Sequence, residues 1–208
     1  MVAVAVIVEG HGEREAIPIL VRRVAHAIDP QLVLDIQHPM RIPKSRMLSG
    51  DHYERALAMA TARTGRRGVV LTILDADEDC AAVLGPALLH RGQEAVGDTL
   101  TLVVVVPREI EAWFLAAAAS LRGRSGLPNA LNPPEHPEAI RDAKGWLADQ
   151  MGGAYSSTVD QPSLMSQFDL DEAERLSPSF ARCRARLAEL LRRAARQGSA
   201  SSEADGAD

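Results

Sequence analysis

Four runs of aliphatic residues, separated by segments with helical periodicity, limit the possible folds of this chain more than any other feature. The runs cover residues 2–8, 32–37, 68–74 and 100–106. They are almost continuously apolar, which is typical of strands covered on both faces, and strands that alternate with helices form a mainly parallel sheet. The sequence therefore predicts a Rossmann-like α/β fold, with a mainly parallel sheet of about four strands flanked by helices.

Each predicted strand is followed by a segment whose apolar residues recur at helical spacing. These segments predict helices at residues 13–28, 52–63, 80–91 and 108–122. Between the second strand and the second helix, residues 38–51 contain two prolines and a glycine and are expected to form a loop.

The pattern changes after residue 122, where a loop rich in Gly, Pro and Asn begins. Further helices are predicted at residues 138–150 and 169–196. We therefore expect three parts: an α/β domain at 1–122, a C-terminal helical extension packed on it at 123–197, and a disordered tail at 198–208.

Composition and charge limit the possible functions. The net charge of −5 differs from the basic surplus of proteins that bind nucleic acid independently of sequence. The chain alone is therefore expected to bind nucleic acid weakly. Any role on nucleic acid would depend on local basic patches, metal ions or a partner. No apolar run reaches the ~18–20 residues that cross a bilayer, and Cys80 and Cys183 form no metal-binding pattern. We expect a cytoplasmic protein without membrane contact, and the oligomeric state stays open.

The turn after the first strand reads Glu9-Gly10-His11-Gly12-Glu13. It is not a dinucleotide fingerprint, because Glu15 stands where a third glycine is needed, and no Gly-Lys-Ser/Thr follows. Glutamates repel a bare phosphate, but they suit a divalent cation that bridges to phosphate. Glu13 lies near Glu9 if the helix begins at residue 11 or 12. The alternative for Glu13 is an acid that stabilises the helix dipole.

Two further acidic groups follow the third and fourth strands. Asp75 and Asp77 lie on one side of the chain if the third strand continues through them. Glu111, after the fourth strand, can reach the same crevice, because the carboxyl ends of parallel strands meet at one edge of the sheet. The alternative is a solvated turn with helix-capping acids, which better explains Glu78, Asp79 and Glu109.

Gathering these carboxylates in one crevice is costly without a cation. Two like charges ~4 Å apart repel by about 4 kcal/mol at an effective dielectric of about 20. We therefore predict that Mg²⁺ or Mn²⁺ binds among five residues. They are Glu9, Glu13, Asp75, Asp77 and Glu111.

The order of the stretches VEGHGE and LDADED resembles the TOPRIM (topoisomerase–primase) fold family over residues 1–115. The resemblance implies a catalytic Glu after the first strand and an Asp-x-Asp after a later one. These are Glu9, Asp75 and Asp77 in this sequence. Glu13 further resembles the two-metal OLD-type nuclease branch, in which Glu111 matches a carboxylate that follows the next strand.

The rest of the chain resembles a bacterial family of single-domain TOPRIM-like proteins of unknown function. The matching residues are PREIEAWFLA (107–116), Tyr155, Thr158-Val159-Asp160 and Ser177-Pro178-Ser179-Phe180. A Lys often precedes the Thr in that family. Ser157 stands there in this chain, so Lys144 or an Arg would have to contact phosphate. The resemblance also implies an ATPase partner in a system similar to phage defence.

These expectations lead to two functional hypotheses. The first is a Mg²⁺-dependent phosphodiesterase acting on DNA or RNA, in which Asp75 and Asp77 hold a metal and Glu9 joins it or acts as a general base. Glu13 and Glu111 would complete a second metal site, and Arg108 or Lys144 would stabilise phosphate charge, so that Lys144 counts among the catalytic residues. The second hypothesis is a catalytically weak or inactive binding subunit of an ATPase-containing complex.

Two basic regions have a functional and a structural interpretation. The loop with Arg41, Lys44 and Arg46 lies near the crevice only if it folds over the mouth. The arginines of the last predicted helix are either a nucleic-acid or partner surface or the solvated face of a packed helix. They are Arg182, Arg184, Arg186, Arg192, Arg193 and Arg196.

Overall fold

The computed structural model describes residues 1–65, 67–153 and 155–204. Its centre is a five-stranded sheet in which every pairing is parallel. The strands are β1 Val2–Val8, β2 Leu34–Ile36, β3 Met40–Arg41, β4 Val69–Asp75 and β5 Leu100–Val106. Their order is β2-β1-β4-β5, and β3 also pairs with β1. The prediction of a Rossmann-like α/β fold is therefore confirmed.

Nine α-helices surround the sheet within the described residues. They are α1 His11–Ile28, α2 Lys44–Met47, α3 His52–Thr64, α4 Ala81–Val96, α5 Ala112–Ala116, α6 Ala143–Gln150, α7 Asp160–Gln167, α8 Leu170–Leu176 and α9 Pro178–Ala204. Short 3-10 helices lie at Ala118–Leu121 and Pro137–Ala139.

Three predicted helices differ from the observed ones. The helix predicted at 108–122 begins only at Ala112, because Arg108 has the left-handed backbone angle φ 62°. The helix predicted at 169–196 is two helices, because Ser177 is extended before Pro178, a residue that disfavours helical geometry at its predecessor. The helix predicted at 138–150 begins at Ala143.

Two segments predicted as irregular contain regular structure. Residues 38–51, predicted as a loop, contain β3 and α2. α9 continues to Ala204, into the segment predicted as a disordered tail. The last four residues of that tail, 205–208, lie outside the described residues.

Side chains alternate along the strands between two apolar layers. One layer packs β1, β4 and β5 against α1 and α9, and the other packs them against α3 and α4. The first layer also contains aromatic contacts between α5 and the helical extension: Trp113 lies 5.2 Å from Phe180, and Phe114 lies 5.6 Å from Phe168. The extension therefore shares its core with the sheet, which fixes its position over the carboxyl ends of the strands.

No helix within the described residues combines the length and apolarity that crossing a membrane requires.

Candidate functional site

Glu13 holds the turn between β1 and α1. The helix begins at His11, and the Glu13 Oε2 atom accepts hydrogen bonds from the backbone N–H groups of Glu9 (3.1 Å) and Gly10 (2.8 Å). The prediction that Glu13 lies near Glu9 is confirmed. One of its oxygens is already used by the backbone, however, so Glu13 also has the structural role of capping its own helix.

Asp75 is the last residue of β4, and its side chain is buried. Its Oδ1 atom accepts a hydrogen bond from the backbone N–H of Ile110 at 2.9 Å, which links the end of β4 to the turn after β5. The backbone of Asp77 is left-handed, with φ 51°, so the strand does not continue and the expected alternation of Asp75 and Asp77 on one side does not occur.

Glu111 is the most deeply buried carboxylate of the site, with 0% exposure. Its Oε1 atom accepts hydrogen bonds from the Tyr155 hydroxyl (2.8 Å) and the Gln161 amide (3.2 Å). Its Oε2 atom accepts none from the residues that the structure describes. Both donors belong to the helical extension, so this part completes the site.

Lys144, in α6, is the counter-ion of these acids. Its Nζ atom lies 3.2 Å from Glu109 Oε1, 3.6 Å from Glu111 Oε2 and 3.8 Å from Asp75 Oδ2. Burial acts to lower the pKa of Lys144, but the negative charges of Glu111, Asp75 and Glu109 outweigh it and hold that pKa above its usual value. We call Glu13, Asp75, Glu111 and Lys144 the inner cluster.

The inner cluster carries more negative charge than Lys144 neutralises. Burial raises the pKa of Asp75 well above its ordinary value, and the charges of Glu13, Glu111 and Glu9 raise it further. The pKa values of Glu13 and Glu111 are also raised, first by burial. Added positive charge would therefore stabilise the ionised forms of all these groups.

A second group, which we call the rim cluster, consists of Lys44, Asp77 and Asp79. Lys44 Nζ lies 3.0 Å from Asp77 Oδ2 and 2.8 Å from Asp79 Oδ2. The side chain of Lys44 is 11% exposed, whereas those of Asp77 and Asp79 are 58% and 53% exposed. The loop after β2 thus folds over the mouth of the crevice at Lys44, one of the alternatives considered from the sequence.

Glu9 lies between the two clusters. It lines an open cavity of about 520 Å³ together with residues of the rim cluster. Its pKa is raised by burial and then by the charge of Asp77, with Lys44 acting in the opposite direction. The Oε2 atom of Glu9 is buried and accepts no hydrogen bond from any described residue.

Arg108 belongs to the rim rather than to the inner cluster. Its guanidinium group lies 3.3 Å from Glu78, and its backbone carbonyl accepts a hydrogen bond from the N–H of Asp77. Of the two predicted phosphate-binding residues, Lys144 therefore contacts the buried acids, whereas Arg108 pairs with an exposed one.

Three side chains that contact the predicted acids are not among the predicted site residues. The sequence leaves two alternatives for the loop with Lys44, and Tyr155 enters only through the family resemblance. Gln161 had no signal in the sequence, because a neutral amide six residues after that tyrosine looks like an ordinary helix residue. Only its contact with Glu111 shows its role.

The donor set fits a hard divalent cation in kind. Carboxylate oxygens are the ligands that Mg²⁺ prefers, and two of them, on Glu9 and Glu111, are buried without hydrogen-bond donors among the described residues. As placed, no three of the described His, Cys, Asp and Glu residues form a ready metal site. Lys44 and Lys144 stand beside the acids instead, so a cation would have to compete with their ammonium groups.

Comparison with protein-family models gives a match over most of the chain. The family described as "Domain of unknown function (DUF4276)" matches residues 8–188. No curated protein and no solved structure matches the chain. The matched segment contains the inner cluster, the rim cluster and both donors to Glu111, and it spans well over half of the sequence. The chain therefore belongs to the DUF4276 family.

Proposed function

We propose that this protein is a Mg²⁺-dependent phosphodiesterase that cleaves nucleic acid, with Mn²⁺ as an alternative metal. One observation carries the proposal: carboxylates from the ends of β1, β4 and β5 converge with raised pKa values, and two of their buried oxygens lack donors among the described residues. Such an excess of buried negative charge at the carboxyl edge of a parallel sheet favours a cation-binding site over a purely structural role.

The candidate ligands differ in whether their oxygens already have a hydrogen-bond or ion-pair partner. Glu9 and Glu111 each have an oxygen without a donor among the described residues, and Asp75 Oδ2 lies 3.8 Å from Lys144 Nζ. Glu13 and Asp77 each use one oxygen already, because Glu13 Oε2 accepts backbone hydrogen bonds and Asp77 Oδ2 pairs with Lys44. A bound Mg²⁺ would supply Lewis-acid stabilisation of phosphate charge and an activated water.

The protein's own groups then have distinct tasks. Glu9 lines the open cavity, so its carboxylate can accept a proton from an attacking water, and burial raises its pKa toward the range that suits a general base. Lys144 has a side chain that is 41% exposed, so its ammonium group can turn from the acids toward a substrate phosphate. Arg108, at the rim, would contact phosphate farther along the substrate.

The substrate class and the partner rest on the TOPRIM resemblance described above. That resemblance supports DNA or RNA as substrate and an OLD-like nuclease chemistry, and it supports an ATPase partner in a phage-defence role. The net charge of −5 fits weak binding of nucleic acid by this chain alone. We also propose a cytoplasmic location, because Cys80 and Cys183 are free thiols.

A second candidate function is a binding subunit that does not cleave. The observation that favours it is the placement of Lys44 and Lys144, whose ammonium groups already lie beside Asp77, Asp75 and Glu111. A permanently bound lysine would leave no place for a metal, and the chain would then contribute only a surface to its complex.

A cleavage assay on single- and double-stranded DNA and RNA, with Mg²⁺ or Mn²⁺ and with or without an ATPase partner, tests the proposal. We expect metal-dependent cleavage by the wild type and its loss in Asp75→Asn. Asp98→Asn is the matched control, because Asp98 is exposed and precedes β5 at the opposite edge of the sheet. Equal background from wild type and Asp75→Asn on every substrate, with no Mn²⁺ binding by calorimetry, would favour the binding subunit.

A further inference from the structure

The two oxygens of Glu111 have unequal surroundings. Oε1 accepts two hydrogen bonds, one from Tyr155 and one from Gln161, at 2.8 and 3.2 Å. Oε2 has no donor among the described residues and lies 3.6 Å from the ammonium group of Lys144. A buried carboxylate with one satisfied and one bare oxygen is costly unless a cation completes it, because desolvated acceptors need a partner.

The segment that carries both donors is seated tightly on the turn after β1. A Cβ atom at Gly12 would lie 2.1 Å from the backbone carbonyl oxygen of Ser157 and 2.6 Å from the side-chain oxygen of Gln161. Only a residue without a side chain permits this approach. Gly12 is therefore explained by the close packing of residues 157–161 against it, without a role in phosphate binding.

We propose that Tyr155 and Gln161 are positioning residues, which hold Glu111 by its Oε1 atom and so leave Oε2, now 3.6 Å from Lys144, as the oxygen that a divalent cation would bind. This inference rests on the proposed metal-dependent function and assigns part of that function to the helical extension. The two donors fix the orientation of the carboxylate and leave one oxygen for the cation. Outer-shell donors of this kind change metal affinity or activity by about 10–100-fold when they are lost.

The inference explains why an acid is tolerated at a fully buried position. Burial raises the pKa of Glu111, whereas the charge of Lys144 and the hydrogen bond from Tyr155 lower it. Two neutral donors on one oxygen keep the carboxylate in place without cancelling its charge. A second lysine in their place would neutralise the group and remove its attraction for a divalent ion.

Mn²⁺ titration calorimetry on the full chain tests the proposal with Tyr155→Phe, Gln161→Met and the double variant. We expect each single change to weaken Mn²⁺ binding by about 10-fold and the double change by up to about 100-fold. Tyr53→Phe is the matched control, because the Tyr53 hydroxyl is also buried but bonds to Thr72 on the opposite face of the sheet. It should leave Mn²⁺ affinity within about twofold of the wild type.

A double-mutant cycle separates positioning from general stability. In a Glu111→Gln background, Tyr155→Phe should weaken Mn²⁺ binding by less than about twofold, because the charged carboxylate that Tyr155 orients toward the ion is gone. Thermal melts of each metal-free variant show whether it is folded. A folded Tyr155→Phe/Gln161→Met variant that binds Mn²⁺ like the wild type would overturn the inference and leave the nuclease proposal intact. A wild type that binds no Mn²⁺ would overturn both.

Discussion

The inner cluster and the rim cluster contain the same kinds of side chains but differ in environment. Asp75 is buried beside other acids, and burial raises its pKa well above the ordinary value. Asp77, two residues later, is mostly exposed and shares the ammonium group of Lys44 with Asp79. Two aspartates that look equivalent in the sequence therefore differ in whether they need an external cation, and burial decides that need.

The largest expected effect compares these two aspartates directly. Asp75→Asn should lower metal-dependent cleavage by about 100-fold or more, because it removes a buried charge that no solvent replaces. Asp77→Asn should lower it by about 10-fold or less, since the exposed site is screened by water. Steady-state cleavage rates at saturating Mg²⁺ provide the measurement. Equal losses would show that the rim cluster opens and that Asp77 joins the metal as directly as Asp75 does.

The next effect concerns the close packing of the extension against the start of α1. Gly12→Ala should destabilise the protein by about 2 kcal/mol, because the new Cβ overlaps a backbone carbonyl that cannot move independently of its segment. Gly85→Ala is the matched control, since a Cβ there meets only a Val105 methyl at 3.6 Å within a helix. Urea unfolding should show Gly85→Ala to be neutral or slightly stabilising. A Gly12→Ala variant as stable as the wild type would contradict the close seating.

Removing each lysine tests which cluster depends on its counter-ion. Lys144→Met should lower the stability of the metal-free protein by about 1–2 kcal/mol, because three acids lose their shared cation, and Mg²⁺ should restore much of the loss. Lys44→Met should cost less than about 1 kcal/mol, since its acid partners are mostly exposed. Both variants are tested by measuring the melting temperature without Mg²⁺ and at Mg²⁺ concentrations raised in 10-fold steps. A Lys144→Met protein that ignores Mg²⁺ would argue against a cation site.

The smallest expected effect is a pH dependence of stability. The pKa values of Asp75, Glu111 and Glu13 are raised in the folded state, so the folded protein binds protons more tightly than the unfolded chain. Their contribution to stability is therefore complete below the ordinary carboxyl values and is lost as the pH rises through the folded values. In metal-free protein, Asp75→Asn should thus gain about 1 kcal/mol over wild type at pH 7.5 and lose that advantage near pH 4.

That difference is measured by chemical denaturation at several pH values in the presence of a chelator. Asp98→Asn again serves as the control and should follow the wild type at every pH. An Asp75→Asn variant that is less stable than wild type at pH 7.5 would show that Asp75 is already neutralised, by Lys144 or by a proton shared with Glu111.

Much of the fold and part of the site could be predicted from the sequence. The apolar runs predict β1, β4 and β5 to within a residue, because strands buried on both faces leave a strong local signal. The edge strand β2 is shorter than predicted, and β3 lies in a predicted loop, since edge strands are short and only partly buried. The helix boundary at Arg108 depends on a left-handed backbone angle that the sequence pattern does not carry. The break at Ser177 does have a local signal, Pro178, which a prediction from helical periodicity alone does not use.

The site could be predicted as a set of acids but not as a set of contacts. The strand ends bring Glu9, Asp75 and Glu111 together, as parallel-sheet geometry requires. The partners that define their chemistry, such as Tyr155 and Lys44, come from distant segments with no periodic relation to the strands. Their placement depends on tertiary packing, which a single sequence does not show.

The aromatic contacts that join the extension to the sheet have a consequence for truncated forms of this chain. Glu111 is the last acid of the inner cluster along the chain. Its partners Lys144, Tyr155 and Gln161 come later, after the loop that begins beyond residue 122. A fragment that stops at that loop would retain the charges, lose their cation and donors, and expose the rings of Trp113 and Phe114 to water. During synthesis the ribosome must therefore release most of the polypeptide before the acids acquire their counter-charge.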